Sequence, residues 1–216
     1  MLQRSTFLAL IVLALSACSR QGGLAEDSAR QDLWAEQQVT AGEMAQWNLY
    51  ARAALRLKGE AYNISLQWKR EADDRFEILL EAPFGQGVLR IDAVGPGRYR
   101  LRLPDGRLVT NNSVEALLDE VVGWSLPIGG LDYWVRGVPD PRTVSRYQLD
   151  SEGRARSIRQ DGWDITYRDY FEDSSRPALP RRFSLANDQL TLKLVIERWQ
   201  QVPTDTTGSD LFPSFN

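Results

Sequence analysis

Apolar and polar residues alternate with a period of two over most of this chain, most clearly from position 47 onward. Trp47, Leu49, Ala51, Ala53, Leu55 and Leu57 fall on one face of an extended segment, against Asn48, Tyr50, Arg52, Ala54, Arg56 and Lys58 on the other. A helix could not present such a set as one face. The alternation returns in Tyr62-Ile64-Leu66-Trp68, Phe76-Ile78-Leu80, Leu89-Ile91-Ala93 and Tyr99-Leu101-Leu103. Between these runs lie Gly59, Asp73-Asp74, Pro83-Phe84-Gly85, Gly95-Pro96-Gly97 and Asp105-Gly106, all turn formers. Five strands joined by short turns predict an antiparallel meander. A second series of strands is predicted over 145–149, 155–160, 163–170, 181–186 and 189–199, with Asp161-Gly162 and Asn187-Asp188 as hairpin turns.

Three segments break the alternation. Residues 31–46 read as a helix with Trp34, Ala41 and Met44 on one face, interrupted by Gly42. Val114, Leu117, Leu118, Val121 and Val122 form a helical stripe, with Asn112 and Glu115 resembling a capping box and Gly123 at the C-terminal cap. A short helix over 131–136 carries Tyr133 and Trp134. About ten antiparallel strands are too many for a flat layer and should curl into an open barrel. So few helices should leave its hollow unfilled, which predicts a cavity for an apolar ligand. The candidates for its lining are Leu55, Leu66, Trp68, Ile78 and Leu80, then Leu89, Ile91, Leu101, Leu118 and Trp134. Period two defines a face without saying which face turns inward. A tryptophan on such a strand also suits a plain core, and the row Arg98, Arg100, Arg102 suits either a solvated face or a docking surface.

The N-terminus has a different logic. Arg4 precedes the nine-residue apolar run 7–15, far short of the roughly 20 residues that span a bilayer. Leu15-Ser16-Ala17-Cys18 follows and resembles the lipobox of bacterial lipoproteins, which implies cleavage after Ala17 and acylation of Cys18. Ser19 at the next position favours the outer membrane. Residues 18–30 are small and polar and read as a flexible tether, 31–199 as the folded domain, and 200–216 as a disordered tail.

Composition removes several classes of function. The chain has 216 residues, no histidine and one cysteine. Imidazole chemistry, histidine-ligated zinc, internal disulfides and CxxC redox pairs are therefore absent, and neither a cofactor nor a metal is expected. The net charge of −3 argues against nucleic acid as a partner.

A series of segments, in order behind the lipobox, carries a family resemblance. They are Trp47-Asn48-Leu49-Tyr50-Ala51-Arg52-Ala53, Ser65-Leu66-Gln67-Trp68, the run 75–85 that ends in Ala82-Pro83-Phe84-Gly85, the helix that ends at Gly123, the run 126–139 that begins Leu126-Pro127-Ile128-Gly129-Gly130-Leu131-Asp132-Tyr133-Trp134, the run 160–167 that begins Gln160-Asp161-Gly162-Trp163, and the closing run 192–199. Together they resemble the LolB family of outer-membrane lipoprotein receptors. The resemblance implies an open antiparallel β-barrel of about eleven strands lidded by helices. It implies a monomer that receives lipidated cargo proteins from a LolA-type periplasmic chaperone and inserts them into the inner leaflet of the outer membrane. It also implies that Pro83-Phe84-Gly85 forms a protruding membrane-insertion loop, with Phe84 where the family carries a leucine. From spacing alone, Phe84 reads first as a turn aromatic folded back on the sheet, and the resemblance reverses that order. Three other functions compete: a lipid- or glycolipid-binding lipoprotein without protein transfer, a carboxylate hydrolase, and a structural lipoprotein without a cavity.

Overall fold

The structure, a computed structural model, describes residues 26–71, 73, 75–81, 87–172 and 177–201. A first helix, α1 (26–42), leads into β1 (Trp47–Leu57), β2 (Glu60–Arg70), β3 (Phe76–Glu81), β4 (Val88–Gly95), β5 (Arg98–Arg102) and β6 (Leu108–Asn111). Two helices follow, α2 (Val114–Val122) and α3 (Ile128–Trp134). The chain then returns to strands β7 (Ser145–Leu149), β8 (Ala155–Gln160), β9 (Trp163–Tyr170), β10 (Pro180–Ala186) and β11 (Leu190–Gln201).

All eleven strands join one sheet in the order β6-β5-β4-β3-β2-β1-β11-β10-β9-β8-β7, and every neighbouring pair is antiparallel. Two meanders thus meet where β1 pairs with β11. Among the described strands, β6 and β7 pair on one side only, so the barrel is open. The connection between them carries α2 and α3 from one edge of the sheet to the other.

The alternation seen in the sequence is the burial pattern. Trp47, Leu49, Ala51, Ala53 and Leu55 are buried, whereas Arg52, Ala54 and Arg56 are exposed. Register carries that face onto the neighbours: Leu55 lies opposite Tyr62 on β2 and Leu192 on β11, and Ala53 lies opposite Ile64 and Leu194. The apolar face is the one that the helices cover. The other is charged and solvated, and there Arg100 pairs with Asp92 at 3.0 Å.

Several element boundaries differ from expectation. Residues 26–30, read as tether, are already helical, and α1 stops at Gly42 instead of 46. Glu26, Asp27, Ala29 and Arg30 tolerate a helix well, and Asp27 and Arg30 form an ion pair one turn apart. Strand β6 was not foreseen; Val109 and Thr110 after the Asp105-Gly106 turn were its signal. The N-cap of α2 is Ser113, not Asn112: its hydroxyl accepts from the Ala116 N–H at 3.1 Å and donates to Glu115 at 3.0 Å. Gly123 ends the helix in the left-handed conformation, with φ of 74°, and donates to the Asp119 carbonyl. Helix α3 begins three residues earlier than expected. Gly130 is required within it, because a Cβ there would lie 2.9 Å from the Trp134 ring. Cys18 and Pro83-Phe84-Gly85 lie outside the described residues.

Candidate functional site

The inner face of the first meander meets α2 and residues 124–131. Between them is a slot of about 40 Å³ lined by apolar side chains only. Leu55, Leu66 and Ile78 rise from the sheet; Leu118 and Leu131 descend from α2 and α3, and Leu126 from the segment that joins them. Its place matches the cavity that the strand pattern predicts, but its size does not. Ligand pockets usually measure roughly 300–1,000 Å³. The hollow is filled far better than the number of helices suggests, because Trp124 and Leu126 between α2 and α3, with Ile128 at the start of α3, add bulk that helix counting omits.

Seven of the ten candidate lining residues border the slot: Leu55, Leu66, Trp68, Ile78 and Leu80, with Ile91 and Leu118. Leu89 is half-buried on β4. Leu101 is buried on β5, against which α2 packs. Trp134 is buried over the second meander, where its Nε1 donates to the Gln160 Oε1 at 2.8 Å. Sequence reasoning missed Leu192 and Leu194, which share a face with Leu190 and Ile196. Only the β1–β11 pairing brings them to Leu55 and Ala53.

Beside the slot lies a much larger vestibule of about 990 Å³. Trp68 and Ile128 line both spaces and form the neck between them. The sheet side of the vestibule is aromatic. Rings run across it from Trp199 to Trp47 (5.1 Å between centroids), Trp68 (5.2 Å), Phe76 (6.4 Å) and Tyr99 (6.0 Å). The last three of these line the vestibule, as does Tyr133 from α3. Among the described residues, three cationic side chains, Arg70, Arg75 and Arg142, face three acidic ones, Asp73, Glu115 and Asp132.

Asp132 anchors α3 electrostatically. Its carboxylate accepts from Arg70 of β2 at 3.2 Å and from Arg136 at 2.9 Å. Arg136 is almost fully buried, and it also donates to the carbonyls of Asp132 (2.9 Å) and Ala41. Burial pushes the Arg136 guanidinium below its ordinary pKa, with Asp132 acting the other way. Behind α3, Asp140 is buried. Burial would raise its carboxyl, but the bonds from the Arg142 side chain and backbone outweigh that and hold it below the usual carboxylate range.

A polar lattice closes the second meander. Gln160 accepts from the Trp134 indole and the Asp140 N–H, and it donates to the Asp140 carbonyl and the Thr143 hydroxyl. Gln37 of α1 bonds both backbone groups of Ala178, and the Tyr167 hydroxyl donates to the Trp134 carbonyl at 2.8 Å. Burial raises the pKa values of Tyr167 and Tyr170 well above that of a free phenol. Both remain neutral donors.

The family model described as Outer membrane lipoprotein LolB matches residues 45–199, which contain both the slot and the vestibule. The chain belongs to the LolB family. A relative named outer-membrane lipoprotein LolB from Nitrosococcus oceani is 38% identical, over 89% of this chain and 94% of the relative. Relatives of the same name from Cellvibrio japonicus and Chromohalobacter salexigens are 34% and 33% identical, over 89% and 90% of this chain and 95% and 89% of theirs. Membership places the protein among outer-membrane lipoproteins. Among solved structures, a LolA superfamily protein from Nitrosomonas europaea is similar, with a TM-score of 0.53 at 7% identity over 80% of this chain and 93% of that one. A DUF1329 family protein from Desulfovibrio piger reaches 0.50 at 8% identity, over 85% and 95%. These two show the shared fold and nothing further. No helix among the described residues is long and apolar enough to cross a membrane.

Proposed function

We propose that this LolB-family protein is the outer-membrane receptor that takes lipoproteins from a LolA-type periplasmic chaperone and releases them into the inner leaflet of the outer membrane. The observation that carries this is the slot: one apolar seam between a half-sheet and a cover of apolar side chains, next to a wide mouth. Exposing a sixteen-carbon chain to water costs on the order of 13 kcal/mol, so lipidated cargo travels only under cover. At about 40 Å³ the slot has no room for such a chain until α2 and residues 124–127 move outward. Their own apolar side chains then compete with the guest for the sheet. That competition loosens the grip, and a bilayer, which closes over the chain without having to be pried open, wins the exchange.

Cys18 anchors the protein in this scheme, and the loop at Pro83-Phe84-Gly85 touches the membrane. Burial of Phe84 in lipid contributes about 1.5–3 kcal/mol, enough to orient the domain and too little to hold it. Phe84→Glu is expected to fold and accept cargo but to block insertion, read as cargo retained on the receptor in a reconstituted transfer from chaperone to liposomes. Normal insertion by that variant removes the loop's role. Depletion of the protein tests the whole scheme: lipoproteins should accumulate in the periplasm bound to their chaperone. A lipid-binding lipoprotein without transfer activity leaves that pool unchanged.

A further inference from the structure

Acyl chains account for the slot but not for the vestibule, with its balanced charges and ring of aromatic faces. A lipoprotein's lipid is more than hydrocarbon. Each chain ends at an ester or amide carbonyl, followed by the glyceryl thioether and the first residues of the polypeptide. With the chains in the slot, those carbonyls fall at the neck.

Trp68 stands there. It is 2% exposed, and its Nε1–H finds no hydrogen-bond partner among the described residues. Unpaired buried donors are uncommon and call for an explanation. Trp34, Trp47 and Trp199 also carry unpaired indole N–H groups, but of these four only Trp68 lines the slot and the vestibule. The charges point the same way. Among the described residues, three guanidinium groups at the vestibule stand against three carboxylates. An anionic phospholipid head would favour a cationic pocket, whereas a neutral glyceryl diester followed by polypeptide suits a balanced one.

Building on the receptor function proposed above, we propose that the vestibule seats the lipidated cysteine of the cargo. The chains pass between Trp68 and Ile128, and the Trp68 indole donates to an ester carbonyl at the neck. The glyceryl group and the first cargo residues rest against Phe76, Tyr99 and Tyr133.

Photo-crosslinking of the full lipid-anchored protein in nanodiscs tests this with a triacylated lipopeptide. The diazirine is carried either at an acyl terminus or on the residue after the cysteine. The chain-end probe should label Ile64, Leu192 or Leu194, and the peptide probe should label Phe76, Tyr99 or Tyr133. Apparent affinity, read from the concentration dependence of labelling, should be about fivefold higher for the ester-linked lipopeptide than for its ether analogue, the worth of one ordinary hydrogen bond. Trp68→Phe should erase that difference. Should Trp68→Phe weaken both analogues alike, its role is packing and the hydrogen bond is refuted. Slot labelling without vestibule labelling overturns this proposal and leaves the receptor function standing. Absence of slot labelling overturns both. Displacement of the peptide probe by phosphatidylglycerol as effectively as by unlabelled lipopeptide makes the vestibule a phospholipid site, and the proposal fails.

Discussion

The two meanders share strand geometry and the same kind of apolar inner face, yet they are covered in opposite ways. Over β8–β10, α1 and α3 are fastened by buried polar side chains: Gln160 to the Trp134 indole, Tyr167 to the Trp134 carbonyl, and Gln37 to the Ala178 backbone. Over β1–β4 the cover is greasy. Leu118, Trp124, Leu126 and Ile128 meet Leu55, Leu66 and Ile78 through dispersion and water exclusion. The difference concerns direction. Buried hydrogen bonds specify one geometry and penalise any displacement. Apolar contact is non-directional, and a hydrocarbon guest can replace it at little cost. One half of the sheet therefore serves as a frame and the other as a reversible cover, and Asp132, bonded to both Arg70 and Arg136, marks the line between them.

That contrast can be broken at its strongest point. Arg136→Met removes a buried guanidinium, leaves the half-buried Asp132 without one partner and frees the Ala41 carbonyl, with an expected loss of about 3–5 kcal/mol in urea unfolding. A loss below about 1 kcal/mol would mean that the frame does not depend on this charge. Gln160→Leu should follow at about 2–3 kcal/mol, since it orphans the Trp134 indole and both backbone groups of Asp140. Hydrogen exchange compares the halves directly. Amides of α2 should open at a free energy lower by about 2 kcal/mol than those of β9, and uniform protection would deny the cover its mobility.

The smallest expected effect depends on pH. The Asp140 carboxyl is depressed in the folded state, so its contribution is present above the unfolded aspartate value of about 3.9 and is lost as pH falls through the folded value. Asp140→Asn should therefore lower stability by under about 1 kcal/mol at neutral pH, because Arg142 is largely exposed. The gap from the parent protein should close in acid. A gap that persists to pH 2 means that the amide costs something other than the ion pair.

Much of the fold was legible in the chain. The strand pattern located β7, β8 and β9 to the residue and β1 to within one, since a strand with one wet face must alternate. Asp161-Gly162 announced its hairpin, and both residues adopt positive φ. Strand β6 escaped because four residues are too few to show a period. The start of α1 escaped because a polar helix and a polar tether look alike without the surface that the helix covers. Within the site, Leu55 and Ile78 were visible as one face of a strand. Leu192 was not, as its partner in the slot, Leu55, lies more than a hundred residues away.

The order of residues along the chain determined local matters by itself: which positions turn inward on each strand, where the turns fall, and that no imidazole or thiol chemistry is available to the folded domain. Only the tertiary structure decided how full the hollow is, because volume depends on how side chains from distant segments interlock. It also decided which residues border both slot and vestibule, and which half of the sheet is tied down by hydrogen bonds, since partners such as Gln37 and Ala178 become neighbours only when the chain closes on itself.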